Sequence, residues 1–113
     1  MIKCDPGDIV LIRFPFTDLT STKKRPALLV CPPDYTRRHG DVVVIALTGQ
    51  DQNDVSLELV EWRSSGLPKP TWIKPLIGTL SAGLIERRLG RIDPRDRHCV
   101  RAAMDMLLTQ DWS

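Results

Sequence analysis

Proline cuts the first third of this chain into apolar segments too short for a stable helix, which leaves strands as the way to bury them. Ile9 to Ile12 is an apolar, largely β-branched run, of a length that suits a strand. Pro15 ends regular pairing, and Pro26 marks where a second strand, Ala27 to Cys31, begins. The loop between them is built of Thr, Ser, Asp and Lys and ends in three consecutive cations, Lys23, Lys24 and Arg25. Such a loop contributes little to a core. Its cations stand where a rigid strand starts, a base able to hold a charged group still.

The same punctuation organises the rest of the chain. Strand one is expected from Asp8 to Phe14. The second strand is apolar almost throughout, which suits a central position buried on both faces, and Pro32-Pro33-Asp34 stops it. A loop with Tyr35, Arg37, Arg38, His39 and Gly40 leads to Asp41–Thr48, whose run of Val42, Val43, Val44 and Ile45 is the clearest strand. Val55, Leu57 and Leu59 alternate with Ser56 and Glu58, the pattern of a strand with one solvated face. Glu61 to Gly66 reads as one helical turn with Gly66 as its exit, and Leu67-Pro68-Lys69-Pro70 as an extended connector. Thr71 to Lys74 is a short strand stopped at Pro75, and Leu84 to Ile92 a last strand with a bend at Gly90. At the C-terminus Asp93 can cap, Pro94 suits the first helical position and Asp96 that of a capping-box acid. Val100, Ala103, Met104 and Leu107 fall at helical spacing; burying Val100, Met104 and Leu107 would contribute roughly 1.5–3 kcal/mol each at most. The expected architecture is a single domain over residues 1–113, mainly β with a C-terminal helix: a small, strongly bent sheet or partial barrel.

Composition narrows the function. At 27% charged and 42% apolar the chain has ordinary globular usage, and a net charge of only +2 permits a nucleic-acid partner without requiring one. Cys4, Cys31 and Cys99 are odd in number and lack Cys-x-x-Cys spacing, and His39 and His98 are isolated, so neither a disulfide framework nor a zinc ribbon is suggested. Reduced thiols, no signal-peptide core and no membrane-length stretch point to a soluble protein of the cytoplasm. Gly78 to Gly83 has the glycine spacing of a phosphate loop, but Leu84-Ile85 stands where Lys and a hydroxyl are needed.

The residues left to carry chemistry are cationic and hydroxyl-rich. Lys23, Lys24 and Arg25 stand at one strand start, and Thr48 and Gln50 at the end of another. Arginine offers a planar fork of donors suited to a phosphodiester and stays charged in any site. A Lys-Lys-Arg run is ordinarily a solvated surface cluster, although Arg25 adjoins an apolar strand and is stiffened by Pro26; a strand-end threonine ordinarily reflects β-propensity or a local hydroxyl hydrogen bond. Arg87, Arg88 and Arg91 extend a phosphate track or form a solvated face, Trp62 closes a small core, Trp72 stacks a base or packs, and His39 serves as acid or base only if folding brings it to Arg25. His98 falls on an exposed helix position.

Taken in order, Gly7-Asp8-Ile9-Val10-Leu11, Phe14-Pro15-Phe16-Thr17-Asp18, Lys24-Arg25-Pro26-Ala27-Leu28, Ile45-Ala46-Leu47-Thr48, Trp62-Arg63, Gly66-Leu67-Pro68-Lys69-Pro70 and Arg88-Leu89-Gly90-Arg91 resemble the MazF/PemK-like toxins of bacterial type II toxin–antitoxin systems. The resemblance implies an SH3-like barrel of five to seven short strands. It also implies a homodimer, a small cognate antitoxin as partner, and cleavage of single-stranded RNA such as mRNA without metal or other cofactor, leaving a 2′,3′-cyclic phosphate and a 5′-hydroxyl. The family's key arginine falls on Arg25 and its strand-end threonine on Thr48, as the catalytic pair. Lys23, Lys24, Thr20 and Gln50 are then the expected RNA contacts. Some members carry an acid or histidine in the first loop; here Thr20, Ser21 and Thr22 occupy it, and Asp18, its one carboxylate, is the candidate general base. Two other readings of the same fold stay open: a non-enzymatic poison that binds a protein target such as DNA gyrase through its C-terminal helix, and a degenerate member that only binds nucleic acid.

Overall fold

One antiparallel sheet carries the whole structure, a computed structural model describing residues 4–14, 23–109 and 111–112. Its strands are β1 (Asp8–Arg13), β2 (Lys24–Leu29), β3 (Asp41–Thr48), β4 (Glu58–Leu59), β5 (Thr71–Ser81) and β6 (Ile85–Arg91), in the spatial order β4-β5-β3-β2-β1-β6. Helix α1 (Pro33–His39) joins β2 to β3, and helix α2 (Arg97–Leu107) comes after β6. The architecture is the expected one, mainly β with a C-terminal helix and a sheet curled into a half-barrel. Among the described residues no helix is long and apolar enough to cross a membrane.

Alternation along the central strands explains why β1, β2 and β3 have no solvated face. Val10, Ile12, Ala27, Leu29, Val44 and Ala46 point to one side and join a buried cluster there. Ile9, Leu28, Ile45 and Leu47 point to the other and take Cys99 and Ala103 of α2. The inward line of α2 is therefore Cys99–Ala103, both fully buried, whereas Val100, Met104 and Leu107 are only half-buried. Small side chains sit where helix and sheet approach most closely, which rotates the expected apolar stripe toward its edge. Asp93 and Pro94 start a 3-10 turn rather than the helix, which begins at Arg97; Asp96 is no capping-box acid and bonds elsewhere.

Four other expectations are corrected. The segment after Pro32 is helical, because Pro33 occupies its first turn, Asp34 and the trio Arg37, Arg38 and His39 complement its dipole, and Gly40 ends it at φ 73°. Val55–Leu57 is a 3-10 turn and only Glu58–Leu59 pairs as a strand, since the Asp54 carboxylate accepts from the Ser56 amide at 2.9 Å and curls the chain. Strand β5 runs through Pro75 instead of stopping there. Ile45 pairs with Ile77 and Leu47 with Ile73, so Lys74, Pro75 and Leu76 bulge opposite Ala46, and a proline in a bulge removes no ladder bond. Similarly, β2 starts at Lys24, and Pro26 pairs with Leu11 of β1 while β3 joins only from Ala27.

The two edges of the curl meet at a seam. The turn after β4, residues 61–66, lies backbone against backbone on β6: a Cβ at Gly66 would stand 2.4 Å from the Leu89 carbonyl oxygen, and one at Gly90 2.1 Å from that of Ser65. Polar groups lock the contact. The Asp96 carboxylate accepts from the Glu61 amide at 2.8 Å; the Ser65 hydroxyl donates to the Glu61 carbonyl and accepts from the Asp93 amide, both at 3.0 Å. Ser65 and Asp96 are buried and fully satisfied. At its rim the Asp93 carboxylate accepts from Arg95 and, at 2.7 Å, from the Ser64 hydroxyl, which hold its pKa well below the usual carboxylate range.

The seam sets two expected outcomes. Gly90→Ala forces one backbone off another, so the variant loses about 1–3 kcal/mol and its Tm falls by about 4 °C or more, whereas Gly83→Ala, whose Cβ meets only the Ser81 Oγ at 3.5 Å, leaves Tm unchanged. Because the folded pKa of Asp93 is depressed, its contribution is complete above the unfolded value near 4 and is lost on acidification. The gap in urea midpoint between wild type and Asp93→Asn therefore narrows as pH is taken from about 6 to about 2.

Candidate functional site

Arg25 and Thr48 are brought together by strand register. Ala27 pairs with Ala46 and Leu28 with Ile45 across β2 and β3, and continuing that register by two residues sets Arg25 opposite Thr48 at the end of the ladder. Both side chains leave the sheet where regular pairing stops. Two hollows open there, one on each side, and both are lined by Arg25, Leu47 and Thr48.

The first hollow, about 280 Å³, adds Phe14, Gln50 and Lys74. The second, about 330 Å³, adds Lys24, Lys69, Thr71 and Arg87 above an apolar floor that includes Leu11 and Leu89. Five cations thus face one strand end, and the described lining contains no carboxylate. Among the described residues Arg25, Lys69, Lys74 and Arg87 have no carboxylate within ion-pair distance, while Lys24 is shared with Glu86 at 3.6 Å. Thr48 accepts the Gln50 amide on its Oγ1 at 3.1 Å, the local hydrogen bond a strand-end threonine commonly makes. That bond fixes the oxygen and leaves the hydroxyl proton to donate into the hollows. The arrangement fits a phosphodiester: positive charge from several directions, a fixed hydroxyl donor, and an apolar floor for a sugar or base.

The other sequence candidates are divided between this strand end and the rest of the fold. Gln50 and Lys24 line the hollows; Lys23 is exposed and lines neither. Thr20 and Asp18 lie outside the described residues. Arg88 and Arg91 are held by the buried Asp8 at 3.2 and 3.0 Å, which makes them structural, whereas Arg87 belongs to the site. His39 stacks on Tyr35 in α1, next to the start of β3, and Thr48 is at the other end of that strand, roughly 23 Å away. It has no access to Arg25. Trp62 is half-buried against the core with Arg63 over its ring at 4.6 Å. Trp72 lines a separate hollow with Asp51, Asp54 and Glu58, where a polyanion would be repelled. His98 is exposed, as expected.

Lys69, Lys74 and Phe14 are not legible in the sequence as site residues. The signal that singles out Arg25, a cation directly before proline, also marks Lys69 before Pro70 and Lys74 before Pro75. In each case proline restricts its predecessor to extended backbone and so aims the side chain.

Other groups offer less. Cys99 is a buried thiol pushed up to about 11 by burial and by Asp96, and it donates to the Glu58 carbonyl at 3.1 Å, so it is no nucleophile. Among the described residues no three His, Cys, Asp or Glu converge as metal ligands. A larger hollow of about 460 Å³ lies between α2 and the sheet, floored by Leu28, Val30, Val100 and Met104 and edged by Arg97 and Arg101. Its described lining holds no hydroxyl, acid or histidine side chain.

Known proteins share the fold. The fold is shared with an endoribonuclease solved with its cognate antitoxin from a mycobacterial species, at 21% identity, a TM-score of 0.71 and full coverage of both chains. It is shared with MazF of Deinococcus radiodurans at 18% identity and TM-score 0.73, over 95% of this chain and 97% of that one. It is also shared with the Mycobacterium tuberculosis toxin MazF-mt6 at 19% identity and TM-score 0.71, over 93% and 99%. No functionally curated protein matches the sequence. Residues 5–108, nearly the entire length, match the model of one family, and the chain belongs to it: the PemK-like, MazF-like toxins of type II toxin–antitoxin systems.

Proposed function

We propose that this toxin is an endoribonuclease that cuts single-stranded RNA by attack of the RNA's own 2′-hydroxyl, releasing a 2′,3′-cyclic phosphate and a 5′-hydroxyl. The observation that carries the reading is that Arg25 and Thr48 line the same two hollows at one strand end, whose described lining holds no carboxylate. When the nucleophile belongs to the substrate, the protein has three tasks: to align the strand, to stabilise the crowded phosphorane and to manage two protons. Arg25 supplies the charge for the phosphorane. Thr48, its oxygen fixed by the Gln50 amide, donates to a phosphoryl oxygen. Gln50 and Lys24 line the path of the strand, Lys23 and Thr20 are further candidates for RNA contact, and Asp18 is the candidate acceptor for the 2′-proton. None of these roles calls for a metal or other cofactor.

The structural neighbours support the reading from outside, since one is an endoribonuclease in complex with its cognate antitoxin and another a MazE–MazF complex. We infer in the same way a small antitoxin as the partner of this chain, a homodimer as its assembly and the cytoplasm as its place of action.

The test is to incubate purified protein with long RNA in EDTA and map the ends. Cleavage leaving 5′-hydroxyl ends is the expected result; intact RNA alongside a toxic phenotype would overturn the reading. Arg25→Ala should lower kcat by about 10²-fold or more while leaving Tm nearly unchanged, because the side chain is exposed. Thr48→Val should lose about 10-fold or more, and Thr48→Ser should retain most of the activity.

A further inference from the structure

The chain after the seam ends against the site. Leu67–Pro70 runs from the turn at 61–66 to β5, and its lysine crosses toward β3. A Cβ placed on Gly49 would stand 2.7 Å from Lys69 Cε and 2.9 Å from its Nζ. Gly49 is not among the positive-φ glycines, so the backbone there does not demand glycine. What the missing side chain provides is room, and the Lys69 ammonium occupies it, beside Thr48 and in the same hollow as Arg25. Prolines at 68 and 70 hold the lysine backbone, and its carbonyl accepts from the Thr71 hydroxyl at 2.8 Å. A lysine seated this way, with no carboxylate partner among the described residues, keeps its charge for a ligand.

We propose that Lys69 is a substrate-contacting residue whose ammonium binds the RNA phosphate engaged by Arg25 and Thr48, and that Gly49 exists to seat it. The proposal rests on the ribonuclease reading and deepens it. Lys69 approaches from the β5 side of Thr48 and Arg25 from the β2 side, so the phosphate is clamped across the end of β3. Lys74, in the adjoining hollow, is placed for the next phosphate along the strand.

The test combines binding and turnover. A fluorescent oligonucleotide of the sequence cut by wild type, methylated on its 2′-oxygens to block attack, is titrated at several salt concentrations. Each lost phosphate contact makes the slope of log K against log salt shallower by about 0.7, and Lys69→Ala and Lys74→Ala should each do so. Lys69→Ala should also lower kcat/KM by about 10-fold or more, with Lys69→Arg recovering most of it. Gly49→Ala displaces only the flexible end of Lys69, so Tm should stay within about 2 °C of wild type while cleavage falls as in Lys69→Ala. The double variant should be no worse than either single one, the signature of two residues acting through one contact. An unchanged slope and turnover in Lys69→Ala, with wild type cutting RNA, overturns this proposal alone. Failure of wild type to cut removes the ribonuclease reading and this proposal with it.

Discussion

The contact of Ser65–Gly66 with Leu89–Gly90 is what makes a half-barrel from a six-stranded sheet. Strands twist and bulge by themselves, but an open sheet with edges as short as β4 has no intrinsic reason to close. Here two glycines let two backbones meet, and the buried Ser65 and Asp96 supply hydrogen bonds that neither water nor another strand could replace at that depth. The consequences run outward along the chain. Closing the seam fixes where the 61–66 turn ends. That end sets the start of the Leu67–Pro70 connector, and the connector delivers Lys69 to the end of β3. A site made of one residue from β2, one from β3 and one from a connector holds its geometry only if all three are referred to the same rigid frame, and the seam provides it.

Bulges do the complementary work. Regular pairing would force β2, β3 and β5 to stay in register to their ends and would cover the backbone at Thr48. Instead β3 leaves β2 beyond Ala27, and Lys74 to Leu76 swell out opposite Ala46. The two departures open hollows on both sides of one strand end. Both occur beside a proline, Pro26 and Pro75, and in both the cation before the proline lines the opening. The residue that breaks the ladder thus also orients the charge, so opening the sheet and placing the cation are a single sequence event.

Much of this is legible in the chain itself, and the departures have a common cause. β3 is legible to the residue because four consecutive β-branched side chains flanked by Asp41 and Thr48 admit little else. Arg25 and Thr48 pair in the sequence only through family resemblance, and the register supplies the reason they meet. Prolines mislead, because each reads as a stop or a start. Pro33 starts a helix, Pro75 lies inside a strand, and Pro26 lies inside β2, because proline removes one donor and confines φ to about −65°, and helix starts, bulges and half-paired edges tolerate both. Lys69 carries the same cation-before-proline mark as Arg25, but its seat is not legible, for a different reason. Its role depends on empty space above Gly49, and a side chain's absence in one segment says nothing in sequence about which distant residue fills the gap.

The net charge of +2 conceals how the charges are distributed. Arg13 and Lys24 share Glu86, Arg37 and Arg38 share Asp34, Arg88 and Arg91 share Asp8, and Arg95 takes Asp93 and Glu61. Apart from those on the buried Asp8, these are exposed pairs, which add little stability. Their effect on the field is larger, because each carboxylate offsets part of the positive charge that would otherwise attract polyanions to other surfaces. Lys23, Arg63, Arg97 and Arg101 also have no ion pair among the described residues, but none of them lines the hollows where Arg25, Lys69, Lys74 and Arg87 stand together around one strand end. Low-dielectric walls such as Leu11, Leu47 and Leu89 concentrate their potential within a few ångströms. A chain with nearly balanced charge can therefore carry a locally cationic strand end, because the described lining of its hollows holds cations and no carboxylate.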